Sequence, residues 1–188
     1  MQSWVALIAS GVIGSLVLLS FNQFSNDAVR DLYIDTLDNA VYTELDAAGQ
    51  IVEYDLSRMG LGINDPNDDV LTQADSTDLR YVMDVNGDLT FETMRYYLSS
   101  VAAAASTPNP NDRFLYRVVN GGANEVICGG VTGLKITYFD RDGNETAVLN
   151  DIKTFVVYLQ IESAIGYDGE YPKLVWEGRV TPLSLMTR

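Results

Sequence analysis

The sequence predicts an α+β protein in which a long N-terminal helix, apolar in its first half and amphipathic in its second, lies across an antiparallel β-sheet. Three observations predict it. Residues 4–21, WVALIASGVIGSLVLLSF, carry no charge over 18 positions. From Val29 onward apolar or small side chains recur every three or four positions as far as Met59, the period of one helix face. Beyond residue 63 the period falls to two, as in strands. The predicted divisions are a transmembrane helix over 1–24, an amphipathic helix continuing it over 25–62, and a β domain over 63–188.

The first segment, from Trp4 to Phe21, is close to the roughly 20 apolar residues a helix needs to cross a bilayer. A cleaved secretory signal is the competing reading, but such signals have a positive n-region and Met1-Gln2-Ser3 supplies no basic side chain. A buried core helix is a third reading, disfavoured by so long an uncharged run. Ser10 and Gly14, and Gly11 and Ser15, are small pairs four apart, a spacing that lets another helix backbone approach closely. Such residues are also common in membrane helices without any partner, and both readings stay open. Orientation is not signalled, because the first basic residue is Arg30.

The second segment is acidic. Residues 27–78 hold 13 acidic side chains against Arg30 and Arg58, whereas the rest of the chain holds 13 against ten. The stripe Val29, Tyr33, Leu37, Val41, Leu45, Ala48, Val52, Leu56 and Met59 runs down one face, and Asp27, Asp31, Asp35, Asp38, Asp46, Glu53 and Asp55 fill mostly other faces. No proline or glycine separates this helix from the membrane segment, so the two form one rod of about 80 Å at about 1.5 Å per residue, ending near Gly60 and Gly62. Like charges at i,i+4 oppose this helix by a few tenths of a kcal/mol per pair, so packing of the stripe has to hold it. The helix–sheet interface is therefore placed at Leu37, Val41, Leu45, Val52 and Leu56.

The third segment opens with a turn-rich link over residues 64–69, NDPNDD. Strands are predicted over 79–83 and 89–98, flanking the Asn86-Gly87 hairpin signal. Residues 102–112, with Pro108 and Pro110, read as a loop, and further strands are predicted over 114–119, 125–128, 134–140, 152–162 and 174–181. In the long strand Phe155, Val157, Leu159 and Ile161 form one wholly apolar face, and the amphipathic helix is its natural cover.

Composition excludes several functions. The chain has no histidine, which rules out Ser-His-Asp chemistry and Cys/His zinc sites, and its single cysteine, Cys128, rules out an intrachain disulfide. A formal charge of −14 argues against nucleic acid as a partner. With 47% hydrophobic residues the chain is globular in composition rather than disordered. Asp84, Asn86 and Asp88 have the spacing of the first ligands of a calcium loop, but Leu89 stands where that loop needs glycine, and a β-turn explains them better. The same holds for the acidic loop from Asp140 to Glu145. Cys128 reads as a small buried hydrophobe, and Gly129-Gly130 lacks the strand-to-helix setting of a phosphate loop. No catalytic constellation and no cofactor site is predicted.

Taken in order, five pieces resemble the type IV filament pilins, in particular minor pilins of the PilW type and the related pseudopilins of type II secretion. They are the N-terminal apolar helix running into IVEYDLSRMGLG at 51–62; DVNGD at 84–88 followed by RYYL at 95–98; LYR at 115–117; VTGLKITYFDRDG at 131–143; and VTPL at 180–183. The resemblance spans most of the chain. It implies a structural filament subunit whose apolar helix sits in the bacterial inner membrane before assembly and in the filament core afterwards, with the sheet domain outside the cytoplasm and other pilin-like subunits or envelope proteins as partners. One feature departs from the pattern. Such pilins begin with a short basic leader ending in glycine, then carry glutamate at the fifth position of the helix; if Met1 is the mature terminus that position is Val5, and if Met1 is the initiator the expectation is that no leader precedes the helix. The departure leaves a second class of function open: a single-pass anchored envelope protein whose β domain binds a ligand or protein without polymerising.

Overall fold

The computed structural model describes residues 2–63, 65, 68–166 and 171–187. The fold is α+β, one long helix and two antiparallel sheets. It divides into two compact units, Met1–Asn39 and Ala40–Arg188.

The first unit is helical. Helix α1 spans Gln2–Ser57, so it supplies the described residues of this unit and continues into the second. Up to Asn39 its only glycines are Gly11 and Gly14, and it has no proline. In this half Val29 and Tyr33 of the stripe are exposed and Leu37 is half-buried. The first position of the stripe to be buried is Val41, one turn later.

In the second unit the stripe is core. Val41, Leu45, Ala48, Val52, Leu56 and Met59 are all buried. The helix stops where two glycines adopt left-handed backbone, Gly60 at φ +70° and Gly62 at φ +83°. Its end is tied down by Gly60 N–H donating to Val82 O at 3.0 Å, by Asp84 N–H donating to Leu61 O at 3.0 Å, and by the Ser184 hydroxyl donating to Met59 O. Of the 64–69 link, residues 64, 66 and 67 lie outside the described residues.

Among the described residues eight strands follow: β1 Leu71–Ala74, β2 Asp78–Met83, β3 Glu92–Leu98, β4 Leu115–Val119, β5 Glu125–Cys128, β6 Val131–Phe139, β7 Thr154–Glu162 and β8 Lys173–Val180. The first five form one meander and the last three another, every pair antiparallel. The expected single sheet is thus two. The chain leaves the first sheet at Gly130, at φ +61°, where a Cβ would stand 2.7 Å from Glu162 O and only glycine fits. Strand β1 has no alternating signal in its four residues; its register comes from pairing with β2, Leu71 opposite Tyr81.

The β2–β3 hairpin forms, but its loop is longer than the Asn-Gly signal implies. Met83 opposite Glu92 closes the ladder, and residues 89–91, expected as strand, belong to the loop. The cause is local: Leu89 has φ +67°, and Asp84 and Asp88 take up the N–H groups of Gly87, Leu89 and Thr90 that a ladder would need.

Phe155, Val157, Leu159 and Ile161 on β7 are buried, as the alternation predicts. Val52 and Leu56 of α1 surround one cavity of about 10 Å³ together with Leu79, Tyr96 and Leu115 from the first sheet and Leu134, Ile136, Val157 and Leu159 from the second. The helix thus covers both sheets at once, and the residual void is at the lower limit for one water. Trp176 of β8 lies over Gly178 and against α1, where a Cβ on Gly49 would stand 2.6 Å from the indole.

Candidate functional site

The apolar half of α1 is long and apolar enough to cross a membrane, with a mean hydropathy of 2.2 over its best window and none of that window buried. Three of its polar side chains bond back to the helix itself. Ser10 Oγ donates to Leu7 O at 2.9 Å, Ser15 Oγ to Gly11 O and Val12 O at 2.9 Å, and Asn22 Nδ2 to Leu18 O at 2.9 Å. Back-bonding of this kind is what lets hydroxyls and amides enter hydrocarbon, where no water can serve them. A Cβ on Gly11 or Gly14 would meet nothing within 4 Å, so the small face formed by Ser10, Gly11, Gly14 and Ser15 is open, and no part of the described chain covers it.

The second unit carries a polar cluster that the pattern of charges conceals. Asp55, read from sequence as belonging to the acidic faces, is 4% exposed. Its Oδ2 accepts from Tyr96 Oη at 2.6 Å and from Arg117 Nε at 2.7 Å, and Arg117 Nη1 reaches Glu125 Oε2 at 3.1 Å. Burial drives the Tyr96 hydroxyl far above its ordinary pKa, with the charges of Tyr81 and Asp55 adding, so the phenol stays a donor. Tyr81 Oη lies beside this cluster, buried and without a partner among the described residues. A signal existed: position 55 is three beyond Val52 and seven beyond Ala48, on the core stripe. The partner, 62 residues later, had none.

Glu44 makes a second link, its Oε1 accepting from Gly129 N–H at 2.7 Å. Burial pushes the neighbouring Cys128 thiol up to about 12, so it is held as a thiol, with Glu44 contributing to the rise.

The calcium candidates Asp84, Asn86 and Asp88 serve their own loop. Asp84 accepts from Gly87 N–H at 2.6 Å and Leu89 N–H at 3.0 Å; Asn86 Nδ2 donates to Asp88 Oδ2 at 3.0 Å; and the Thr90 hydroxyl and amide, both donating to Asp88, lower that carboxyl below its usual range. Asp140 likewise accepts from the N–H groups of Asn144 and Asp142, at 2.8 and 2.9 Å. Among the described residues no three His, Cys, Asp or Glu side chains gather in a metal-binding group.

Two further features had no sequence signal. Asp112 is 1% exposed, and neither carboxylate oxygen accepts a hydrogen bond from the described residues. Burial raises its pKa, opposed by the nearby Thr107 hydroxyl and reinforced by the charges of Glu162 and Glu44. On the solvent face of the first sheet, Arg80 and Arg95 stand directly opposite each other on β2 and β3.

No protein-family model, curated protein or solved structure matches this chain. Function therefore rests on the geometry alone: a helix half that is exposed among the described residues, joined without a break to one that builds a core.

Proposed function

We propose that this chain is a non-catalytic, pilin-like or pseudopilin-like structural subunit of a cell-envelope filament or of its assembly or secretion apparatus. In this reading a single span over residues 4–21 holds it in the bacterial inner membrane before assembly, with the β domain outside the cytoplasm. The observation that carries the proposal is the two-part character of α1. Residues 41–56 present a stripe buried in the domain's own core, while residues 4–24 present an apolar surface exposed among the described residues, in the same uninterrupted helix. A helix built so can exchange lipid for the helices of neighbouring copies, and the small face at Ser10, Gly11, Gly14 and Ser15 permits close approach.

The test is substitution on that face. Gly14→Leu or Gly11→Leu meets open space in the isolated chain, so insertion and domain folding should be unaffected. Incorporation into a higher assembly should fall roughly threefold or more, the factor expected for one weakened helix–helix contact. Cross-linking of paired cysteines along the helix, and identification of the subunits in purified filaments, read the outcome. Unchanged cross-linking in both mutants, with the chain abundant in membranes and absent from filaments, would leave the segment a plain anchor. The function would then be that of a single-pass envelope protein whose β domain binds its ligand or partner without polymerising.

A further inference from the structure

The arginines facing each other on the first sheet are an arrangement that the described residues do not balance. Arg80 on β2, Arg95 on β3 and Val118 on β4 lie in one row across three strands. Like charges directly opposite destabilise a sheet, and this pair sits in a chain with 26 acidic and 12 basic side chains, where a carboxylate opposite either arginine would be easy to supply. Among the described residues Asp78 is the one carboxylate ion-paired with them, and it belongs mainly to Arg95: Nε donates to Oδ1 at 2.9 Å and Nη2 to Oδ2 at 2.6 Å, a bidentate fork, while the guanidinium lies 4.1 Å from the centre of the Tyr97 ring. Arg80 is left with a long ion pair, 3.8 Å from Nε to Asp78 Oδ1, and that Nε is shielded from solvent with no acceptor among the described residues. Between the two lies a cavity of about 210 Å³ lined by Arg80, Thr93, Arg95, Val118, Asn124 and the Gly121-Gly122 turn. The turn is pinned over it by Asn120, whose N–H donates to Thr93 O and whose Oδ1 accepts from Thr93 N–H, both at 2.8 Å.

We propose that Arg80 and Arg95 form a carboxylate-binding pocket on the solvent face of the five-stranded sheet, with Arg80 as the principal donor. The two guanidinium groups and Asp78 leave one net positive charge, which one carboxylate neutralises, and the planar fork of Arg80 matches a planar two-oxygen acceptor. The carboxylate comes either from a small free acid or from an Asp or Glu side chain on a second copy of this chain; the chemistry of recognition is the same.

The experiment is NMR of the Arg Nε–Hε resonances in the full chain in detergent micelles. Sodium acetate is titrated against sodium chloride at matched ionic strength. The Arg80 resonance should shift saturably with acetate and not with chloride. Arg80→Gln should weaken the acetate response, read at Arg95, by about tenfold or more, the loss expected for a charge-assisted hydrogen bond, with the amide spectrum otherwise retained. Arg80→Lys, which keeps the charge but not the fork, should recover only part of it. If raising the protein concentration alone shifts Arg80 and acetate reverses the shift, the source is a second copy; if acetate alone shifts it, the source is a free acid. A non-saturating response equal in acetate and chloride, or an Arg95 response unaltered by Arg80→Gln, overturns the proposal. Should the variants fail to fold, the acetate–chloride comparison on the unaltered chain still decides it.

Discussion

Replacing Asp55 by alanine removes the acceptor at the centre of a buried cluster. Oδ2 of Asp55 takes two hydrogen bonds, from Tyr96 Oη at 2.6 Å and Arg117 Nε at 2.7 Å, one neutral donor and one charged. The side chains of Asp55 and Arg117 are 6% and 20% exposed, so the arginine has little water to turn to when its partner goes. Removing one partner of a buried ion pair costs about 3 to 5 kcal/mol. Arg117 keeps Glu125 at 3.1 Å, but that carboxylate's side chain is 61% exposed and replaces little of the loss, so Asp55→Ala should cost about 3 kcal/mol, near the lower bound. The assay is urea unfolding of the full chain in detergent micelles, followed by near-ultraviolet circular dichroism of the tyrosine-rich β domain. Exposed Asp35→Ala is the control and should lie within about 0.5 kcal/mol of the unaltered chain. Adding Arg117→Met to Asp55→Ala should restore a large part of the loss, because the stranded charge is then gone. If Asp55→Ala unfolds with the same midpoint as Asp35→Ala, the cluster does not hold helix to sheet. If the double variant is no better than the single one, the cost is not that of a stranded cation.

Two further perturbations test the packing and the buried charge. Gly49→Val places carbon where the Trp176 indole stands, a Cβ at 2.6 Å, and should cost about 1 to 3 kcal/mol in urea unfolding while shifting tryptophan emission to the red; an unchanged spectrum and midpoint would show that the indole does not rest on α1. Asp112→Asn should stabilise the chain by about 1 kcal/mol at pH 7, because it removes an ionised group that is buried and accepts no hydrogen bond from the described residues. The fold holds this carboxyl above its ordinary value, chiefly by burial, so the penalty is absent where the group is protonated both folded and unfolded and sets in as pH rises through the unfolded value of about 3.9. The advantage of Asp112→Asn, read from urea midpoints between pH 3 and 7, should therefore vanish at the acid end; an advantage equal at both ends would refute the charge argument.

What the sequence by itself determined is the part of this protein governed by local periodicity. The uncharged run from Trp4 to Phe21, the three-to-four spacing from Val41 to Met59 and the alternation of Phe155, Val157, Leu159 and Ile161 each state which surface must leave water, because burying apolar area is favourable wherever the cover comes from. Gly60 and Gly62 likewise end the helix through their own backbone freedom. What only the tertiary structure decided is the identity of the cover. Leu37 has the spacing of a core residue and is half exposed, whereas Asp55 has the charge of a surface residue and is buried, since both outcomes depend on what packs opposite. The division of one expected sheet into two lies in which strands pair, β1 to β5 and β6 to β8, and the pairing of Arg117 with Asp55 spans 62 residues. The facing of Arg80 and Arg95 was set by the β2–β3 register. Charge and hydropathy patterns describe one element at a time; contacts between elements form only when the chain closes on itself, and they settle which charges are stranded and which are paired.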